Sequence, residues 1–165
     1  MKALGRLLVL ILSLAPTAAL PGIADSPLPI LSGGATTFHL YSVPGVIAGA
    51  GGLGTYFSCT STDTATMQVG VELFFSAGGA PANDAVATSL SVSPGATVMF
   101  GTSAAAGLSI NSSLGGGFMS KGSGRILATS KKLACTAFLA DVGNAPPTSM
   151  AQLTIIAKLK QKAAN

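Results

Sequence analysis

A chain of 165 residues has room for one domain and hardly two. Charged residues make up 8% of it, against roughly 25% in an ordinary soluble domain, while a hydrophobic share of 48% leaves enough for a core. A net charge of only +4, with 5% aromatics and no tryptophan, excludes the dense basic patch with interleaved aromatics that nucleic-acid binding calls for.

Residues 1–24 read as a secretory signal. Lys2 and Arg6 supply the charged start, Leu7 to Leu14 the apolar run, and Pro16 breaks it. Cleavage fits after Ala19 or after Ala24; the second is favoured because Gly22 and Ala24 are both small and Asp25 follows. The run is well short of the roughly 20 residues a membrane-spanning helix needs, and no cysteine follows it as in a lipoprotein. The expected location is therefore export: periplasmic, cell-surface or extracellular. Without Lys2 and Arg6 the chain keeps seven basic and five acidic residues, a net of +2. A surface so poor in charge offers little electrostatic resistance to self-association.

Residues 25–35 are a lead-in punctuated by proline and glycine, followed by one β-domain over 36–162. Thr36 to Val43 reads as a first strand ended by Pro44-Gly45, and Val46 to Gly54 as a loose, glycine-rich edge strand. Gly49-Ala-Gly-Gly-Leu-Gly54 matches the dinucleotide pattern G-x-G-x-x-G, but a strand pattern follows it where a helix is required. Thr55 to Cys59 is that strand. Met67, Val69, Val71, Leu73 and Phe75 then alternate with Gln68, Gly70, Glu72 and Phe74, as in a half-buried strand paired with the Cys59 strand across a short turn. Strands follow over Ala85–Ser93 and Ala96–Phe100, and Gly101–Gly124 reads as a long connection. Leu133 to Asp141 is the central strand, with Leu133, Cys135, Ala137 and Leu139 on one face. Met150 to Lys160 alternates as one last strand with outward lysines.

Cys59 and Cys135, each mid-strand and far apart, read as a pin between two sheets, which an oxidising compartment permits. The alternative is two buried free thiols.

Some seven to nine short strands without a helix of useful length read as an antiparallel β-sandwich. A cysteine on an early strand and one on the penultimate strand, with the strand-Pro-Gly-strand run Ser91–Phe100, resembles bacterial secreted immunoglobulin-like and fibronectin III-like modules at the level of pattern. The resemblance implies an immunoglobulin-like sandwich with one inter-sheet disulfide, Cys59 to Cys135. The core tryptophan of antibody-type domains is missing, and Leu133 stands where they carry a tyrosine.

Chemistry is scarce. His39 is the one histidine and lies in a strand pattern; no G-x-S-x-G elbow exists; Glu72 is the one glutamate. Asp63, Asp84 and Asp141 flank turns, the ordinary place for aspartate, so no metal site and no cofactor are expected. Phe74 and Phe138, outward by phase, form a candidate contact surface if both are exposed on neighbouring strands, and are core if the sandwich buries both faces there. The sequence thus points to a non-enzymatic module working through a protein partner or self-association, as a surface, matrix or filament component, with carbohydrate or small-ligand binding as the alternative.

Overall fold

The computed structural model describes residues 22–104 and 107–158; the apolar run of the expected signal, Leu159, Lys160 and Lys162 lie outside them. The chain is all-β and almost wholly antiparallel. Its strands are β1 (Phe38–Ala48), β2 (Leu53–Ser61), β3 (Met67–Phe75), β4 (Leu90–Val92), β5 (Thr97–Gly101), β6 (Ser112–Ser113), β7 (Met119–Ala128), β8 (Leu133–Asp141), β9 (Met150–Leu153) and β10 (Ile156–Ala157). The pairings form two layers, β4-β3-β7-β1-β10 and β6-β5-β2-β8-β9, joined where β1 turns into β2 at Ala48 opposite Gly54. Only β5 and β6 pair in parallel among the named strands.

The inward faces of the two layers share one core. Val43, Val46, Val69, Val71, Leu73 and Ile126 come from the first layer; Phe57, Cys59, Val98, Phe100, Leu133 and Ala137 come from the second. Two layers sharing one core, with side chains two apart on each strand aimed at the opposing layer, are compatible with a β-sandwich, although all ten strands belong to one continuous hydrogen-bonded sheet.

Several sequence expectations change here. The disulfide exists, but it is not an inter-sheet pin. Cys59 and Cys135 are directly opposite on the neighbouring strands β2 and β8, with Cα atoms 4.1 Å apart. Backbone bonds from Thr62 to Lys132 and from Val142 to Gly52 bracket that ladder and make Cys59–Cys135 a non-hydrogen-bonded pair, the closer of the two pair types. Both thiols do face the core, as their phase requires. Alternation says which face a side chain takes, not which strand lies beside it.

β3 does not pair with β2. The chain crosses between layers at residues 62–66, and β3 joins β4 and β7 instead. Pro44-Gly45 does not end β1 but is absorbed as a register shift against β7. Val46–Gly54, expected as a loose edge strand, instead completes β1 at Ala48, turns through residues 49–52 and enters β2 at Leu53, where a strand stands in place of the helix a dinucleotide loop needs. Residues 119–124, expected as connection, open the ten-residue β7, the central strand of the first layer. Residues 85–89 are turn, with Asp84 accepting from the Val86 and Ala87 amides. The last expected strand splits in two: β9 pairs with β8, then Thr154-Ile155 crosses over and β10 pairs with β1.

The outer faces of both layers are also covered. On the first, the lead-in and the β3–β4 loop lie over β3 and β7, with Leu31, Ala85 and Leu127 forming a small second core. A Cβ at Gly70 would sit 3.0 Å from Leu31 Cδ2 and 3.1 Å from the Ala85 carbonyl, so glycine there lets the covering segments approach the sheet. On the second, Leu108 and Ile110 from the β5–β6 connection pack with Met99, Phe138 and Ala140 around Tyr56.

Candidate functional site

Three places bring chemistry-bearing side chains together. The first is the covered face of the first layer. Glu72 on β3 and Arg125 on β7 are register partners, so their side chains emerge side by side on the face away from the main core. They form an ion pair through Arg125 Nε and Glu72 Oε2, with both side chains at or below 5% exposure. The guanidinium lies 5.2 Å from the centroid of the Phe74 ring. Its remaining donors reach back along the chain: Nη1 donates to the carbonyl of Ile23 (3.3 Å), in the expected signal, and to that of Ser26 (2.9 Å) in the lead-in, and Nη2 to that of Pro27 (3.0 Å). A buried guanidinium with one carboxylate and three carbonyls is close to fully satisfied, the condition under which a buried charge is tolerated.

This placement corrects the expected contact surface. Phe74 is outward by phase yet only 1% exposed, beneath the guanidinium and the covering segments. Phe138 is half-buried on the other layer and stacked on Tyr56, centroids 5.5 Å apart. The two rings stand on outer faces of different layers and form no common patch.

The second place is the end of the sandwich where β1, β3, β5 and β8 finish and β2, β7 and β9 begin. Gly115, Gly116 and Gly117 all take left-handed φ, between 65° and 89°. That reversal buries Leu114 and Met119 on either side of the loop and leaves Phe118 71% exposed between them. Phe75, the last residue of β3, is 43% exposed at the same end. A shallow recess of about 320 Å³ runs beside Phe118, lined also by Ala48, Gly49, Thr102 and Ser103. The Thr102 hydroxyl is already committed: it accepts from the Thr55 amide and donates to the Ile47 carbonyl. No sequence signal singled out Phe118, because a lone phenylalanine in a glycine-rich stretch has no periodicity around it.

The third is a recess of about 430 Å³ at the crossover from β9 to β10, bordered by Cys135, Gln152, Leu153 and Ile155. Cys135 is half-buried and Cys59 fully buried.

The scattered acids do not converge. Asp63 accepts from the Ser130 hydroxyl at the start of β8, while Asp141 at its far end accepts from the Ser149 amide and the Asn144 side chain. A nine-residue strand separates them by about 27 Å. Among the described residues no three of His, Cys, Asp and Glu come together as a metal site would need, and no helix is long and apolar enough to cross a membrane.

His39 is part-buried, with Nε2 3.2 Å from the Tyr41 carbonyl and 3.0 Å from Ser42 Oγ. Burial first, then the charges of Lys158 and Arg125, hold its pKa down to about 4 from an ordinary 6.5. Between those values the unfolded chain takes up a proton that the folded chain refuses. Stability is therefore expected to fall as pH drops from 6.5 towards 4, with no further loss from this group below that. Asp63, held down to about 2 chiefly by the Ser130 hydroxyl, loses its contribution only below about 3.8. Melting temperatures between pH 7 and 4 should slope downward in the native chain and flatten in His39→Gln; an unchanged slope in the variant would remove His39 as the cause.

Comparison with protein-family models, with curated proteins and with solved structures finds no match to this chain.

Proposed function

We propose that this chain is a non-enzymatic, exported β-sandwich module that acts by protein contact, as a cell-surface, matrix or filament component, in the periplasm or outside the cell. The observation that carries the reading is Phe118, held 71% exposed on its triglycine turn with Phe75 exposed at the same end. A large aromatic on a loop anchored at both sides has the form of an interface anchor, since aromatics concentrate binding energy when a partner desolvates them. The chain as a whole carries few charges to oppose a second copy. The carboxylates of Asp63, Glu72, Asp84 and Asp141 support the same reading, being engaged in turns or in the buried ion pair. The fold-level likeness to immunoglobulin-like modules supports it only as far as the all-β architecture.

Size-exclusion chromatography with light scattering, under oxidising conditions, should show concentration-dependent oligomers. Phe118→Ser should leave stability within about 0.5 kcal/mol, as exposed substitutions do, while weakening self-association about tenfold, the loss of an anchor worth about 1.4 kcal/mol. A strict monomer at high concentration overturns self-assembly.

The second reading is a carbohydrate- or small-ligand-binding module. Its support is the recess beside Phe118, where an aromatic ring stands next to Ser103 and Thr102. A glycan screen in which binding is lost with Phe118→Ser would favour it over protein contact.

A further inference from the structure

The segment that shields Glu72 and Arg125 is attached to the sheet in an unusual way. Residues 25–31, which remain after the expected cleavage behind Ala24, form none of the strands and are fastened in three ways. Arg125 grips the carbonyls of Ser26 and Pro27. Leu31, 1% exposed, inserts between Ala85 and Leu127. The Leu31 amide donates to Thr37 Oγ1 across the turn that follows. The first two fasten the segment to β3, β7 and the β3–β4 loop, far from it in sequence, so the face would recognise the same segment whichever chain supplied it.

The connection to β1 is short and open. Gly33 and Gly34 take φ of 90° and 73°, nothing lies within 4 Å of a Cβ built on either, and residues 32–36 are exposed. Five residues extend to about 17 Å at most, enough to hand the segment to an adjoining copy but not a distant one. The outer side of the segment is apolar: Leu28 is 40% and Ile30 68% exposed, with Val86 at 38% on the loop that Leu31 packs against. A closely packed second copy would cover these side chains, a gain that the single chain lacks.

We propose that residues 25–31 are an exchangeable strap, docking on the Glu72–Arg125 face of a second copy of this chain through the contacts they make on their own. The strap adds no strand; the face reads backbone carbonyls through one buried guanidinium and one apolar side chain through the Ala85–Leu127 notch. Exchange conserves those contacts and adds burial of Leu28 and Ile30, so it is governed by local concentration. A face that passes the strap on to a third copy builds an open chain, whereas reciprocal exchange closes at two. The inference rests on the self-association reading of the proposed function and names the segment and the face that would carry it.

The test is covalent capture in the full chain. Leu31→Cys on one tagged copy and Ala85→Cys on a differently tagged copy are co-expressed and oxidised. Neither chain can close that bridge alone, so a disulfide-linked product bearing both tags, rising with protein concentration, is expected. The double variant L31C/A85C in one chain reports whether the geometry permits the bridge. Where the cysteines disturb folding, isotope-filtered NMR on mixed labelled and unlabelled native chain should show contacts between Leu31 methyls of one copy and Leu127 methyls of another. Oligomers by light scattering, with Leu31 contacts only within a chain, overturn strap exchange and leave self-association standing. A strict monomer overturns both.

Discussion

Arg125→Met is expected to destabilise the fold by about 3–5 kcal/mol, the cost of removing one partner from a buried ion pair. Glu72, at 4% exposure, would be left without its cation in an apolar setting, and the carbonyls of Ser26 and Pro27 would lose their donors. For a domain stable by roughly 5–15 kcal/mol this is a large share. Urea denaturation at neutral pH measures it, and hydrogen exchange should accelerate first at residues 26–31, because the strap has no strand pairing to hold it. The double variant Glu72→Met with Arg125→Met should recover most of the loss, since an apolar pair leaves no orphaned charge. A single variant within 1 kcal/mol of the native chain would mean that the pair and its carbonyl shell contribute little.

Loss of the Cys59–Cys135 bridge is the second large effect. The bridge closes a separation of 76 residues, for which the chain-entropy account gives about 4 to 5 kcal/mol and measured bridges typically 2–4. Cys59→Ala with Cys135→Ala should therefore lower the unfolding free energy by about 2–5 kcal/mol. The effect should be local as well as global. β2 is held on both sides, by β5 and β8, whereas β8 is held on its other side only over Ala137–Ala140 before the chain crosses to β1. Exchange should thus rise most at Leu133–Thr136. Denaturation of the native and alanine forms, with mass spectrometry to confirm the oxidation state, checks both points. Equal stabilities would mean that the reduced unfolded chain is already constrained near the bridge.

How far the covered faces were legible is clear from particular residues. The alternation of Met67 to Phe75 correctly separates Val69, Val71 and Leu73 from Glu72 and Phe74, and the structure keeps that division. Solvent exposure of the second set does not follow from it. Glu72 and Arg125 stand 53 positions apart, and the strap carbonyls of Ser26 and Pro27 99 and 98 positions from Arg125. The available signal was a charge on each of two strongly apolar runs, Val69–Phe75 and Arg125–Ala128, where a lone ion would not be tolerated. β7 escaped notice over its first half because Met119-Ser-Lys-Gly-Ser-Gly124 has loop composition; it is a strand because β1 and β3 flank it and supply its backbone partners.

By itself, then, the sequence determined the all-β class, most strand positions, the inward aim of both cysteines and a surface nearly free of charge. These are local properties, written in a period of two and in composition. The tertiary structure decided which strands adjoin, that the disulfide joins neighbours within one layer, that Phe74 is buried and Phe118 exposed, and that the lead-in closes over an ion pair. Each of these depends on contacts between segments distant in the chain, where backbone register and the path of covering loops choose the partner.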